Sequence, residues 1–235
     1  MTTGRTWLAG LAALLVLAIV VGVLAPDRQP RAPGAALGPG GREQVSDYTA
    51  RAAVSLDQVG PAEQRWALLS PTVELDPAAA AELVQGLRTS RVLLRVPLPR
   101  VQTPLDAFEV ADQGDLRGEL GELERLAGGH QNALAEVSTG RAAAVAAAAG
   151  ARLTAGCACV VGLVVRGTGD ALRAVAARPA VRTLELAPPD TGYGGLSVVP
   201  LLPSQITTVL PGPDDGALPV VVLPSGGVSG RAPGG

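Results

Sequence analysis

The chain has no lysine: all 19 of its basic residues are arginine. That removes Schiff-base catalysis and the phosphate-binding lysine of nucleotide loops from the available chemistry. Histidine and methionine occur once each, cysteine twice, and aromatic residues make up 2% of the chain. Two cysteines alone do not complete a four-ligand zinc site, and so few aromatics cannot form a platform for stacked bases. The net charge of −2 comes without any basic stripe, so nucleic acid is not an expected partner. Alanine, glycine, proline and arginine are abundant, a composition that follows from GC-rich codons. Alanine buries little area, so the core must come from leucine and valine clusters.

What is present begins with residues 7–25, an uncharged run of leucine, valine, alanine and isoleucine opened by Trp7. A bilayer-spanning helix needs about 20 apolar residues, and an aromatic at its start suits the interface. The competing reading is a cleaved signal peptide, with Val23 and Ala25 as small residues before the cut. The run exceeds the roughly 7–15 residues of a signal-peptide core, and Pro26 follows the cut directly. The sequence therefore predicts a short tail (1–6), a retained transmembrane helix (7–25) with the lipid bilayer as its partner, and an extracytoplasmic domain. Arg5 lies before the span and Arg28 and Arg31 after it, so arginine count alone does not set the orientation.

Residues 26–44 are dense in proline and glycine and read as a linker. A short helix is expected over 46–59, with Val45, Thr49, Ala52, Ala53 and Leu56 on one face. Residues 45–187 form the expected α/β domain, an α+β arrangement of two strand–helix–strand units. In the first (65–98), a strand over 66–75 carries Pro71, which marks an edge or a bulge. Asp76-Pro77 starts a helix. Val92, Leu94, Val96 and Leu98 alternate onto one face of a second strand over 91–98. In the second unit (157–187), an unbroken apolar run over 159–165 reads as a strand buried on both faces. Thr168 and Asp170 start a helix with Leu172, Val175 and Ala176 inward, and a return strand spans 181–186. Each crossover is long enough for parallel neighbours, and the two units are expected to share one ferredoxin-like sheet. Between them, 115–150 should hold two alanine-rich helices broken at Gly128-Gly129. Residues 188–235 read as a Pro- and Gly-rich tail in which 196–209 is apolar enough to pack back on the domain and the stretch beyond Leu210 is largely disordered.

Cys157-Ala-Cys159 is the sharpest local feature. On a strand the two thiols would share a face, and outside the cytoplasm they form a candidate disulfide or redox pair. So small a ring departs from relaxed disulfide geometry and is expected to be readily reduced; buried core cysteines are the plainer reading. His130 is expected in an exposed loop, without a Gly-x-Ser-x-Gly motif to partner it. Glu119, Glu122 and Glu124 alternate with Arg117 and Arg125 and read as a solvated face. Gly167-x-Gly169 reads as a tight strand-to-helix turn, with weak anion binding as the alternative. Asp214-Asp215-Gly216 reads as a turn rather than a calcium loop. No catalytic, cofactor or metal residues are assigned.

The stretch from Gly156 to Pro188, with its Cys-x-Cys strand and LRAVAARPAVRTLELAPP ending, resembles uncharacterised actinobacterial proteins that pair a membrane anchor with an extracytoplasmic domain. The resemblance implies an envelope location and supplies no activity. The strand–helix–RPAVRTLEL pattern is also similar to propeptide-type inhibitors of subtilisin-like proteases, which would make the segment after Leu186 an inhibitory extension. The expected role is a non-enzymatic, membrane-tethered interaction domain with an envelope protein as partner. A protease inhibitor or folding module and a thiol–disulfide protein using Cys157 and Cys159 are the alternatives.

Overall fold

The computed structural model describes residues 34–219. The expected span at 7–25 and the last part of the tail lie outside those residues. Among the described residues, no helix is long and apolar enough to cross a membrane.

The fold is α+β. Its elements are β1 (Ala35–Leu37), α1 (Val45–Asp57), β2 (Gln64–Pro71), α2 (Pro77–Leu83), β3 (Arg88–Leu94), β4 (Asp106–Glu109), α3 (Leu116–Val137), α4 (Gly140–Ala155), β5 (Val160–Thr168), α5 (Gly169–Ala176), β6 (Val181–Leu186) and β7 (Leu196–Val198). Five strands form one sheet in the order β4-β3-β5-β2-β6, and every neighbouring pair is antiparallel. β1 and β7 pair separately as a short parallel ribbon.

This corrects the expectation of parallel neighbours. The two strands of each unit do run parallel, but a strand of the other unit lies between them. Interleaving puts β5, the most continuously apolar strand, at the centre of the sheet, where residues 160–165 are buried on both faces. Pro71 lies at the end of β2, beside the register shift that separates Ser70 from Pro71 in the β2–β6 ladder. β2 is flanked on both sides, so the proline marks a bulge and not a sheet edge.

On one face, Ala67, Leu69, Val92, Leu94, Leu163, Val165 and Leu184 meet Leu83, Leu120, Leu153 and Leu172 from the helices. α2 starts as its sequence predicts: Asp76 accepts a hydrogen bond from the Ala79 amide at 2.8 Å, and Pro77 occupies the first turn. On the other face, Leu68, Leu93, Val161 and Val164 pack against Leu37, Ala187 and Leu196. Gly162 suits this crowded side, because a Cβ there would come within 2.8 Å of both Leu93 and Pro200.

Three further expectations are corrected. Gly128-Gly129 does not interrupt a helix: α3 runs through it to Val137, and the break falls at Ser138 and Thr139. The glycines serve packing. A Cβ on Gly128 would meet the Thr154 amide nitrogen at 2.9 Å, and one on Gly150 would meet the Asn132 nitrogen at 3.0 Å, so α3 and α4 cross closely there. In α1, Tyr48 and not Ala53 completes the buried face with Val45 and Ala52. Finally, the linker is not simply irregular and the tail makes defined contacts as far as Gly216, while 196–209 packs back on the domain as expected. Residues 35–37 pair with 196–198, and Leu196, Leu201 and Val209 are buried. Beyond Leu210, Asp214 pairs with Arg141 at 3.1 Å, Asp215 pairs with Arg100, and the Gly216 amide donates to the Arg100 carbonyl at 2.7 Å.

Candidate functional site

α4 ends at Ala155, and Gly156 takes a positive φ of 82° that turns the chain toward β5. Cys157 and Cys159 lie in this turn, just before the strand and not on it, and they are joined as a disulfide with Cα atoms 5.3 Å apart. Cys159 is completely buried, Cys157 is half-buried, and Gly156 and Ala158 on either side of Cys157 are exposed. The Arg95 amide donates to the Cys159 carbonyl at 2.8 Å, tying the turn to the segment after β3. A three-residue ring restricts the unfolded chain little. The loop-entropy relation gives roughly 1.5 kcal/mol, below the typical range for a disulfide.

Glu124 stands behind the disulfide. It projects from α3 with only 4% of its surface exposed, and its carboxylate accepts the Cys157 amide hydrogen bond at 2.9 Å. Both sulfurs and a Glu124 oxygen lie within 4.8 Å of one another. Burial pushes the Glu124 carboxyl above the usual carboxylate range, and Asp76 at the start of α2 pushes in the same direction; the amide hydrogen bond opposes them. The expected assignment of Glu124 to the solvated face is therefore wrong. The signal was present in the spacing: Leu120, Glu124 and Gly128 follow at intervals of four along the buried stripe of α3. Its neighbours do behave as expected, with Glu122 paired to Arg125 and Glu119 accepting from the Ala111 amide.

The other candidates do not join this site. His130 is on α3 and not in a loop; it is exposed, with Nδ1 3.3 Å from the Asp106 carboxylate, which also accepts from Gln131 at 2.7 Å. At Gly167-x-Gly169, the first amides of α5 are already used. Gly169 donates to the Glu63 carbonyl and Asp170 to the Pro61 carbonyl, both at 3.0 Å, while the Thr168 hydroxyl accepts from Ala171. That leaves a tight turn without free donors for an anion.

A second feature lies close by, at the same end of β3. The segment from Arg95 to Gln102 and the return segment 199–213 enclose a groove of ≈ 1090 Å³. Val199, Ile206 and Leu210 line it with 52%, 73% and 50% of their surfaces exposed. Arg95 also lines it. Its Nε donates to the Thr103 carbonyl at 3.1 Å, and among the described residues it has no ion pair. Burial lowers the Arg95 pKa, partly offset by the attraction of Glu74. Proline and an apolar loop were visible in the sequence here, but the meeting of two segments a hundred residues apart was not.

Comparison with known protein families, with curated proteins and with solved structures finds no match to this chain.

Proposed function

We propose that this chain is a membrane-tethered, extracytoplasmic interaction domain of the cell envelope, non-enzymatic, anchored through residues 7–25, in which a ferredoxin-like sheet built from two interleaved strand–helix–strand units supports a binding groove. The observation that carries this reading is the groove itself: three exposed aliphatic side chains line it together with Arg95, which is attracted by Glu74 but makes no ion pair among the described residues. An apolar surface of this kind, with one charged group to orient the ligand, is what a recognition site offers. The partner it fits is an extended segment of an envelope protein carrying aliphatic side chains and a carboxylate for Arg95. The disulfide supports the location, since such bonds persist in oxidising compartments. The inhibitor reading has less support, because Leu196 and Leu201 of the would-be extension are buried against the rest of the domain.

The test is a photo-crosslinking residue at position 206 of the full chain in intact cells. The expected result is a discrete adduct with one envelope protein that disappears in the Arg95→Gln variant while the fold is kept. Absence of any adduct, or an adduct indifferent to Arg95, would overturn the proposal.

A further inference from the structure

The geometry points to a second role, independent of the groove: the Cys157–Cys159 disulfide is a thiol-exchange site that is opened at Cys157 by an external dithiol, with Glu124 as the proton donor to Cys159. Three observations carry it. First, the two cysteines differ in exposure. Cys159 is completely buried, whereas Cys157 is half-buried between exposed Gly156 and Ala158. An incoming thiolate therefore reaches the Cys157 sulfur, and Cys159 is the leaving group. Second, a thiolate released at Cys159 would be a buried charge, which is costly unless it is neutralised at once. Third, a carboxyl oxygen of Glu124 lies within 4.8 Å of both sulfurs, with 4% of the residue exposed. Its raised pKa keeps more of the carboxyl in the protonated form that can donate. The charged side chain bearing on it from the packed elements is Asp76, which favours the same form.

One thiolate of the dithiol attacks the Cys157 sulfur. The new S–S bond forms as the Cys157–Cys159 bond breaks, and the electron pair of that bond leaves on Cys159, which takes the Glu124 proton. The second thiol of the reagent, deprotonated to solvent, attacks its own sulfur in the mixed disulfide. This releases the Cys157 thiolate, which is protonated from solvent, and Glu124 is reprotonated there as well. The protein disulfide gains two electrons and two protons, and the dithiol becomes a cyclic disulfide.

The experiment measures reduction of the full chain, in detergent and without denaturant, by dithiothreitol across a pH series. The wild type is expected to be reduced while folded. Glu124→Gln, which keeps an acceptor for the Cys157 amide, is expected to slow reduction about tenfold or more at neutral pH and to flatten its pH profile. Circular dichroism of the same samples checks that the variant is folded. In parallel, Cys159→Ser should form a mixed disulfide with dithionitrobenzoate, and Cys157→Ser should not. Reduction of the wild type only after unfolding, an unchanged rate in folded Glu124→Gln, or faster labelling at Cys159 than at Cys157 would each overturn the inference.

Discussion

On one face of the sheet, α2–α5 bring leucine, valine and alanine onto the strands, and the packing is largely apolar apart from Glu124 and Gln131 of α3. On the other face, α1 and an irregular return segment do the covering, and the return segment is held by arginine as much as by apolar contact. Arg182 donates to the Leu202 carbonyl at 2.8 Å and also to the carbonyls of Pro203 and Gln205. Arg65 donates to the Ala187 carbonyl at 2.7 Å. A guanidinium offers five donors in a planar fork, so one side chain can satisfy several carbonyls of a segment that makes no ladder. Arginine thus adds to the apolar contacts of Leu196, Leu201 and Val209 in ordering a proline-rich segment. The two faces also divide the candidate chemistry: the buried disulfide and its carboxyl sit under the helices, while the groove is built from the return segment.

The largest expected effect breaks the helix-covered face. Leu163→Ala, at the centre of β5, should cost about 3–4 kcal/mol in urea unfolding, because a buried leucine touching both neighbouring strands leaves a cavity. A smaller effect isolates the arginine-held face. Arg182→Ala should cost about 1–2 kcal/mol, and Arg182→Lys should recover only part of it, since one ammonium cannot reach all three carbonyls. Ile206→Asp should change stability by less than about 0.5 kcal/mol, since its side chain is mostly exposed, yet should remove the crosslink at the groove, scored from a probe at Leu210.

The smallest effect is a pH dependence at the end of the tail. Arg141 and Arg100 hold the carboxyls of Asp214 and Asp215 below the ordinary value of 3.8. Their contribution is therefore complete above the unfolded value and is lost as pH falls through the lower folded values. Hydrogen exchange at the Gly216 amide, which donates to Arg100, should accelerate relative to the β5 amides only in that acidic window. The arginine-to-alanine variants should lose this protection at neutral pH.

The comparison also explains what could be read in the sequence. Where apolar periodicity decided the structure, the elements came out as the residues predict: the start of α2 at Asp76-Pro77, α5 after Thr168, and β6 over Val181–Leu186. The alternation of Val92, Leu94 and Val96 likewise faces the helix-side core. Strand order was not legible as adjacency, because two strands of a unit can be parallel without being neighbours. Gly128 was misread because a glycine that ends a helix and a glycine that lets two helices approach look alike in one dimension; Gly150, on the partner helix, decides between them. Glu124 was masked by the charges beside it in sequence, although its helical phase matched the buried stripe. That 196–209 packs back on the domain was legible in its apolar content, but not its route, because the arginine-to-carbonyl bonds that hold it join distant residues and leave no local pattern.

The most direct test of the account is the accessibility of Cys157 in intact cells to a membrane-impermeant maleimide. The account predicts no labelling before mild reduction and labelling at Cys157 after it, as expected of an extracytoplasmic domain with a closed disulfide and one reachable sulfur. Labelling that appears only when the cells are permeabilised would place the domain on the other side of the membrane and contradict it.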